Sequence, residues 1–182
     1  MGSNWYISTN PKRTDILALW IRHCFLIGAL AICLVHTMAV AQGGQVAFGN
    51  IQENDGLPIE VTADNLDVNQ NDGTAVFTGN VVIGQGSMRL SAPEVLVVYL
   101  ENQSGIERLK ATGGVTLVSG EDAAEAANAD YNLETGLINM RGNVLLIQGP
   151  SAVAAEAMTV NTRSGTANMS GRVKTVLQQG GE

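Results

Sequence analysis

Phe77-Thr78-Gly79-Asn80-Val81-Val82-Ile83 is the stretch whose reading decides the fold. A strand-forming run is broken by glycine and resumes at once with β-branched residues. The Gly-x-Val unit recurs at Gly113-Gly114-Val115, Gly142-Asn143-Val144 and Gly171-Arg172-Val173, at spacings of 34, 29 and 29 residues. A second glycine precedes each unit: Gly73, Gly105, Gly136 and Gly165, at offsets of 6, 8, 6 and 6. Turn formers stand beside it, Asn71-Asp72, Gln103-Ser104, Glu134-Thr135 and Arg163-Ser164. Such self-similarity marks a repeat architecture.

One unit reads simply. A strand carrying an acid runs to a turn whose glycine adopts positive φ. A second strand returns. The Gly-x-Val glycine then turns the corner and a third strand leads away. Gly86, Gly120 or Pro150 opens the next unit. Four units of about four strands predict roughly sixteen short strands in stacked or rolled antiparallel β-structure. The Ala-rich segment from Glu121 to Ala129 lacks a bulky apolar stripe and is expected as strand rather than helix.

The beginning of the chain differs. Lys12, Arg13 and Arg22 precede an apolar run from Cys24 to Val35, and Ala39-Val40-Ala41 follows. That is the layout of a secretory signal peptide. The expected division is a signal peptide over 1–41, a flexible segment over 42–57, a β-domain over 58–177 and a tail over 178–182. An uncleaved anchor is the alternative. Removing 1–41 removes Cys24, Cys33, His23 and His36, and with them every thiol and imidazole. No disulfide, Cys or His nucleophile, or usual zinc site is then expected, and no cofactor. Residues 42–182 hold seven basic and sixteen acidic side chains, a net charge of −9. That sign disfavours nucleic acid as a partner.

Several runs are apolar on both parities: Val81-Val82-Ile83, Val95 to Leu100, and Val144 to Ile147. A sheet wetted on one face would alternate more cleanly. The excess indicates two packed sheets or a pair lining an apolar groove. With Phe48, Phe77, Tyr99 and Tyr131 the only aromatic residues after position 41, the lining is aliphatic and suits acyl chains. Asp64, Glu94, Asp130 and Glu156 recur with the repeat, so a place near the corners outweighs a glycosidase-type carboxylate pair. A structural β-repeat or filament module, filled by its own side chains, stands as the second reading.

Three segments carry a resemblance: Pro58 to Asp64, Phe77 to Ile83 with Gln85-Gly86, and Ala92 to Val98. They look like the start of the OstA-like (LptA) domain. Ala129-Asp130-Tyr131, Gly142-Asn143-Val144 and Arg172 to Leu177 resemble its second half. The resemblance implies a V-shaped antiparallel β-jelly roll that holds lipopolysaccharide acyl chains, without enzymatic activity. It also implies head-to-tail self-association between an LptC-like inner-membrane protein and an LptD-like outer-membrane translocon, in the periplasm. An uncleaved leader would instead suit the LptC-like role. The resemblance implies that Ile59, Val61, Val81, Ile83, Val95 and Val97 face the lipid. So do Tyr99, Val115, Leu117, Tyr131 and Leu133. The expected assembly edges are Ile59 and Val61 in the first strand, and Val173, Thr175, Val176 and Leu177 in the last. N-terminal sequencing of the periplasmic protein is expected to begin at Gln42; intact Met1 in the membrane fraction would mean an anchored protein.

Overall fold

The computed structural model describes residues 45–54 and 56–176. Their strands are β1 (Gln45–Ala47), β2 (Ile59–Thr62), β3 (Asn65–Asn69), β4 (Thr74–Gln85), β5 (Met88–Tyr99) and β6 (Ile106–Ser119). They continue as β7 (Asp122–Asn132), β8 (Leu137–Gln148), β9 (Ser151–Asn161), β10 (Thr166–Ser170) and β11 (Lys174–Val176). All pair antiparallel in one unclosed sheet of eleven strands, in the order β1-β10-β9-β8-β7-β6-β5-β4-β2. β11 also pairs with β9, and β3 with β4. Short consecutive hairpins make that order the simplest available. The Ala-rich segment is strand β7, as expected.

The described residues form eleven strands where about sixteen short ones were expected, and the reason is local. At three of the four units the Gly-x-Val glycine does not end a strand. It lies in a β-bulge inside a long one, with register shifts at Thr78/Val81, Thr112/Val115 and Arg141/Val144. Each of β4 to β9 therefore fuses two of the anticipated strands. Both bulge residues take positive φ: Gly79 at 78° and Asn80 at 47°, Gly113 at 89° and Gly114 at 99°, Gly142 at 87° and Asn143 at 52°. Gly171 at 75° and Arg172 at 42° repeat this between β10 and β11.

The bulges align across the sheet and fold it on itself. One wing comprises β3, β10, β1 and the halves of β4 to β9 paired between them. The other comprises β2, β11 and the remaining halves. A single apolar cluster from both wings fills the space between, with Val81, Leu117, Ile138, Met140 and Leu146 each at 0 % exposure. Burying one such side chain contributes roughly 1.5–3 kcal/mol.

Opposite the two-residue bulges stand Asp64, Pro93, Ala127 and Glu156. The repeated acids are thus not equivalent, which corrects their expected alignment. Asp64 and Glu156 occupy corners, where their amides donate to the Gly79 and Gly171 carbonyls at 2.9 Å. Asn80 Nδ2 donates to Asp64 Oδ2 at 2.8 Å, and Arg172 pairs with Glu156 at 2.6 Å. Glu94 directly follows the corner residue Pro93 and accepts from Thr112, and Asp130 lies past Ala127, on Arg108. Pro93 brings no N–H to a site that has left the ladder.

Residues 45–54, expected as a flexible leader, are ordered instead. β1 pairs with β10, and a 3-10 turn follows at Ile51–Asn54. Phe48 and Ile51 are both 0 % exposed. Two apolar anchors in a polar segment suffice to dock it.

A Cβ on Gly142 would stand 2.7 Å from the Ala127 Cβ, whereas one on Gly73 (φ 61°) would meet nothing within 4 Å. Gly142→Ala is expected to cost about 2–4 kcal/mol and Gly73→Ala about 1–2, since only the first adds overlap to left-handed strain. Urea unfolding of the two variants measures the difference.

Candidate functional site

Register assigns the inner face. In the first wing Ala75, Val97, Leu109, Tyr131, Ile138 and Val160 are successive partners across β4 to β9. In the second wing Val61, Ile83, Leu90, Leu117, Ala124 and Leu146 form the matching row. All eleven residues singled out for lipid contact lie on this face. Val81, Ile83, Val95, Val97, Val115, Leu117 and Tyr131 are buried in the protein's own core. Ile59, Val61, Tyr99 and Leu133 are half-buried against it. Glu60 is exposed on the opposite parity.

The space between the wings is thus filled over most of its length and opens at the mouth, from β2 to the turn after β9. A cavity of about 760 Å³ lies there. Leu57, Ile59, Ile106, Tyr131 and Leu133 line it, with Gln85, Ser104 and Arg163 among the polar groups. That volume falls in the ordinary range of ligand sites. The cavity spans both wings, because Gln85 and Ile59 belong to one and Ile106 and Tyr131 to the other. A buried hydrogen bond also crosses: the Tyr131 hydroxyl donates to Gln85 Oε1 at 3.0 Å. Gln85 Nε2 in turn donates to the Leu57 carbonyl at 3.1 Å.

Sequence reasoning missed four contributors. Leu57 and Ile106 line the cavity from outside the runs that had been singled out. Leu66 and Val68 continue the inner rows on β3, paired with Phe77 and Ala75, yet are 53 % and 61 % exposed. The alternation Asn65-Leu66-Asp67-Val68-Asn69 was the available signal.

The edges also differ in part from expectation. β2, with Ile59 and Val61, ends one side of the sheet, and β3 ends the same side of the other wing. β11, with Thr175 and Val176, is an edge on β9, and Val173 directly precedes it; Leu177 lies outside the described residues. β1 is the companion edge at that end.

Residues 60–166 match the family described as LptA/(LptD N-terminal domain) LPS transport protein, more than half of the 182 residues. The chain belongs to that family. An uncharacterised protein of Rhizobium meliloti (strain 1021) is 27 % identical over 123 residues, 64 % of this chain and 66 % of the relative. The match thus spans just under two thirds of that relative's length. The fold is shared with LptH of Pseudomonas aeruginosa, described as the LptA-homologous periplasmic component of the lipopolysaccharide transport device. The TM-score is 0.62 at 20 % identity, over 69 % of this chain and 99 % of LptH. Among the described residues no group of His, Cys, Asp or Glu is placed to hold a metal, and no helix is long and apolar enough to cross a membrane.

Tyr131→Phe leaves Gln85 Oε1 buried without that donor and is expected to cost about 1–2 kcal/mol. Combining it with Gln85→Leu is expected to cost less than the two changes summed, read by a double-mutant cycle in urea.

Proposed function

We propose that this protein is a non-enzymatic periplasmic carrier that shields lipopolysaccharide acyl chains between its wings. The observation that carries this is the cavity at the mouth between the wings, where Ile59, Ile106, Tyr131 and Leu133 bring the inner rows to an opening rimmed by Gln85, Ser104 and Arg163. Exposing an acyl chain of about 12 methylenes to water costs roughly 10 kcal/mol at about 0.8 kcal/mol per methylene. An aliphatic channel removes that barrier without a catalyst. The family supports the same reading, since its members are transport proteins.

The free edges support a bridging role. β2 and β3 end one side, β1 and β11 the other, and each exposes a row of backbone donors and acceptors. Pairing the last edge of one copy with the first edge of the next is a heterologous contact that propagates. It would run the inner rows of successive copies into one another. An LptC-like protein at the inner membrane and an LptD-like translocon at the outer membrane would occupy the terminal edges.

The filled interior favours a second reading, a structural β-repeat, and a binding titration separates the two. Delipidated protein is expected to bind a fluorescent fatty-acid probe; a structural module would bind none. Photo-crosslinkers at Val61, Tyr99 and Leu133 are expected to capture lipid, while those at Glu60 and Asn132 do not. Equal labelling at both sets would defeat the inner-face assignment.

Proline at Val176 or at Val61 removes a donor and fixes φ in an edge strand. Either change is expected to shift sedimentation towards monomers, with probe binding surviving in the Val176 variant. Assembly unaffected by both would mean contact through the sheet faces instead.

A further inference from the structure

The segment Gln45–Asn54 crosses the mouth between the wings. It leaves the first wing where the Phe48 amide donates to the Gly165 carbonyl at 3.0 Å. It reaches the second where the Gly49 amide donates to Asp122 Oδ2 at 2.8 Å. Gly49 lies so close to the Ser119 carbonyl that no Cβ fits between them. Beyond the 3-10 turn, Asn54 Oδ1 accepts from the Ser87 amide at 2.8 Å. Phe48 and Ile51 point into the apolar cluster and are fully buried.

Resting on the carrier reading above, we infer that Phe48 and Ile51 hold the place of acyl chains, so that the strap is a displaceable occupant of the lipid site. Three observations carry this. First, the space between the wings is open near Ile59 and Leu133 but closed where the strap lies. What closes it is not a wing residue but a separate segment. Second, the strap is lightly held. Its ladder is three residues of β1, and its crossing depends on side-chain bonds from Asp122, Gln148 and Asn54. Third, the fit beneath it is imperfect. Asn54 Nδ2 and Ser119 Oγ are buried with no hydrogen-bond partner, an unfavourable arrangement that displacement would relieve. A saturated chain entering between the wings replaces the apolar contacts of Phe48 and Ile51 like for like. The corners, with their own backbone bonds, need not move.

Hydrogen exchange on the unmodified protein tests this during titration with a long-chain fluorescent fatty acid. At saturation the Phe48 amide is expected to exchange about tenfold faster or more, while the Asp64 amide at its corner is unchanged. A lock gives the converse. Gln52 Cβ lies 3.5 Å from where a Gly165 Cβ would stand, within disulfide reach. Gln52→Cys with Gly165→Cys, in a chain carrying Cys24→Ser and Cys33→Ser, is expected to bind at most half the probe when oxidised and to recover with reductant. Saturation that leaves Phe48 protection unchanged or raised would overturn the inference, as would an oxidised lock that binds fully. Failure of the unmodified protein to bind probe at all would remove the carrier reading itself, and is seen in the titration before any exchange is measured.

Discussion

Six long strands must change direction at the same height, and every other feature depends on how they do so. A flat antiparallel sheet of this length would leave one apolar face in water. The chain avoids this by placing two consecutive positive-φ residues in alternate strands and a single residue opposite them. Two against one is the definition of a bulge, and its consequence is a bend. Because the bulges align, the bends add into one corner line. The close approach of Gly142 to Ala127 leaves no room for a Cβ, so backbone conformation and sterics both demand glycine there.

The corner also explains the distribution of charge and small residues. Ala127 and Pro93 serve at the inner corners, which have strands on both sides. Asp64, beside the terminal strands β2 and β3, carries a side chain that accepts from Asn80. Glu156 takes Arg172, but that pair is largely exposed, so its contribution is about 0–1 kcal/mol. The backbone bonds from the Asp64 and Glu156 amides matter more, because they close the corner where the ladder is interrupted. Asp64 and Glu156 thus have a structural place at the corner that the other two acids do not share.

How much of this the sequence disclosed depends on the range of the interaction. Gly79, Gly113, Gly142 and Gly171 announce themselves because a positive φ is a local demand. Period two in Val81 to Ile83 and Val95 to Tyr99 likewise follows from the pleat alone, so the inner face was legible. The fusion of strands was not. Whether a glycine ends a strand or bulges it is decided by the neighbour across the ladder, such as Pro93 or Ala127. The role of Phe48 was hidden for the same reason. One aromatic in a polar stretch has no periodicity, and its burial depends on Gly165 and Ser119, more than seventy residues away in sequence. The cavity residue Ile106 was missed because its partner across the mouth, Ile59, sits on a different wing.

The interior also holds a row of unbranched side chains. Met140, Met158 and Met169 are neighbours in one row of the first wing, each two residues from the corner at Gly142, Glu156 or Gly171, and all are at most 2 % exposed. Unbranched thioether side chains repack with little penalty and fill irregular space. Branched Val81 and Val144 border the same corner on the second wing, and Tyr131, Ile138 and Val160 lie in the next row out. Adaptable side chains from one wing thus meet stiff ones from the other where the strands diverge, which lets the angle of the bend be filled without a void.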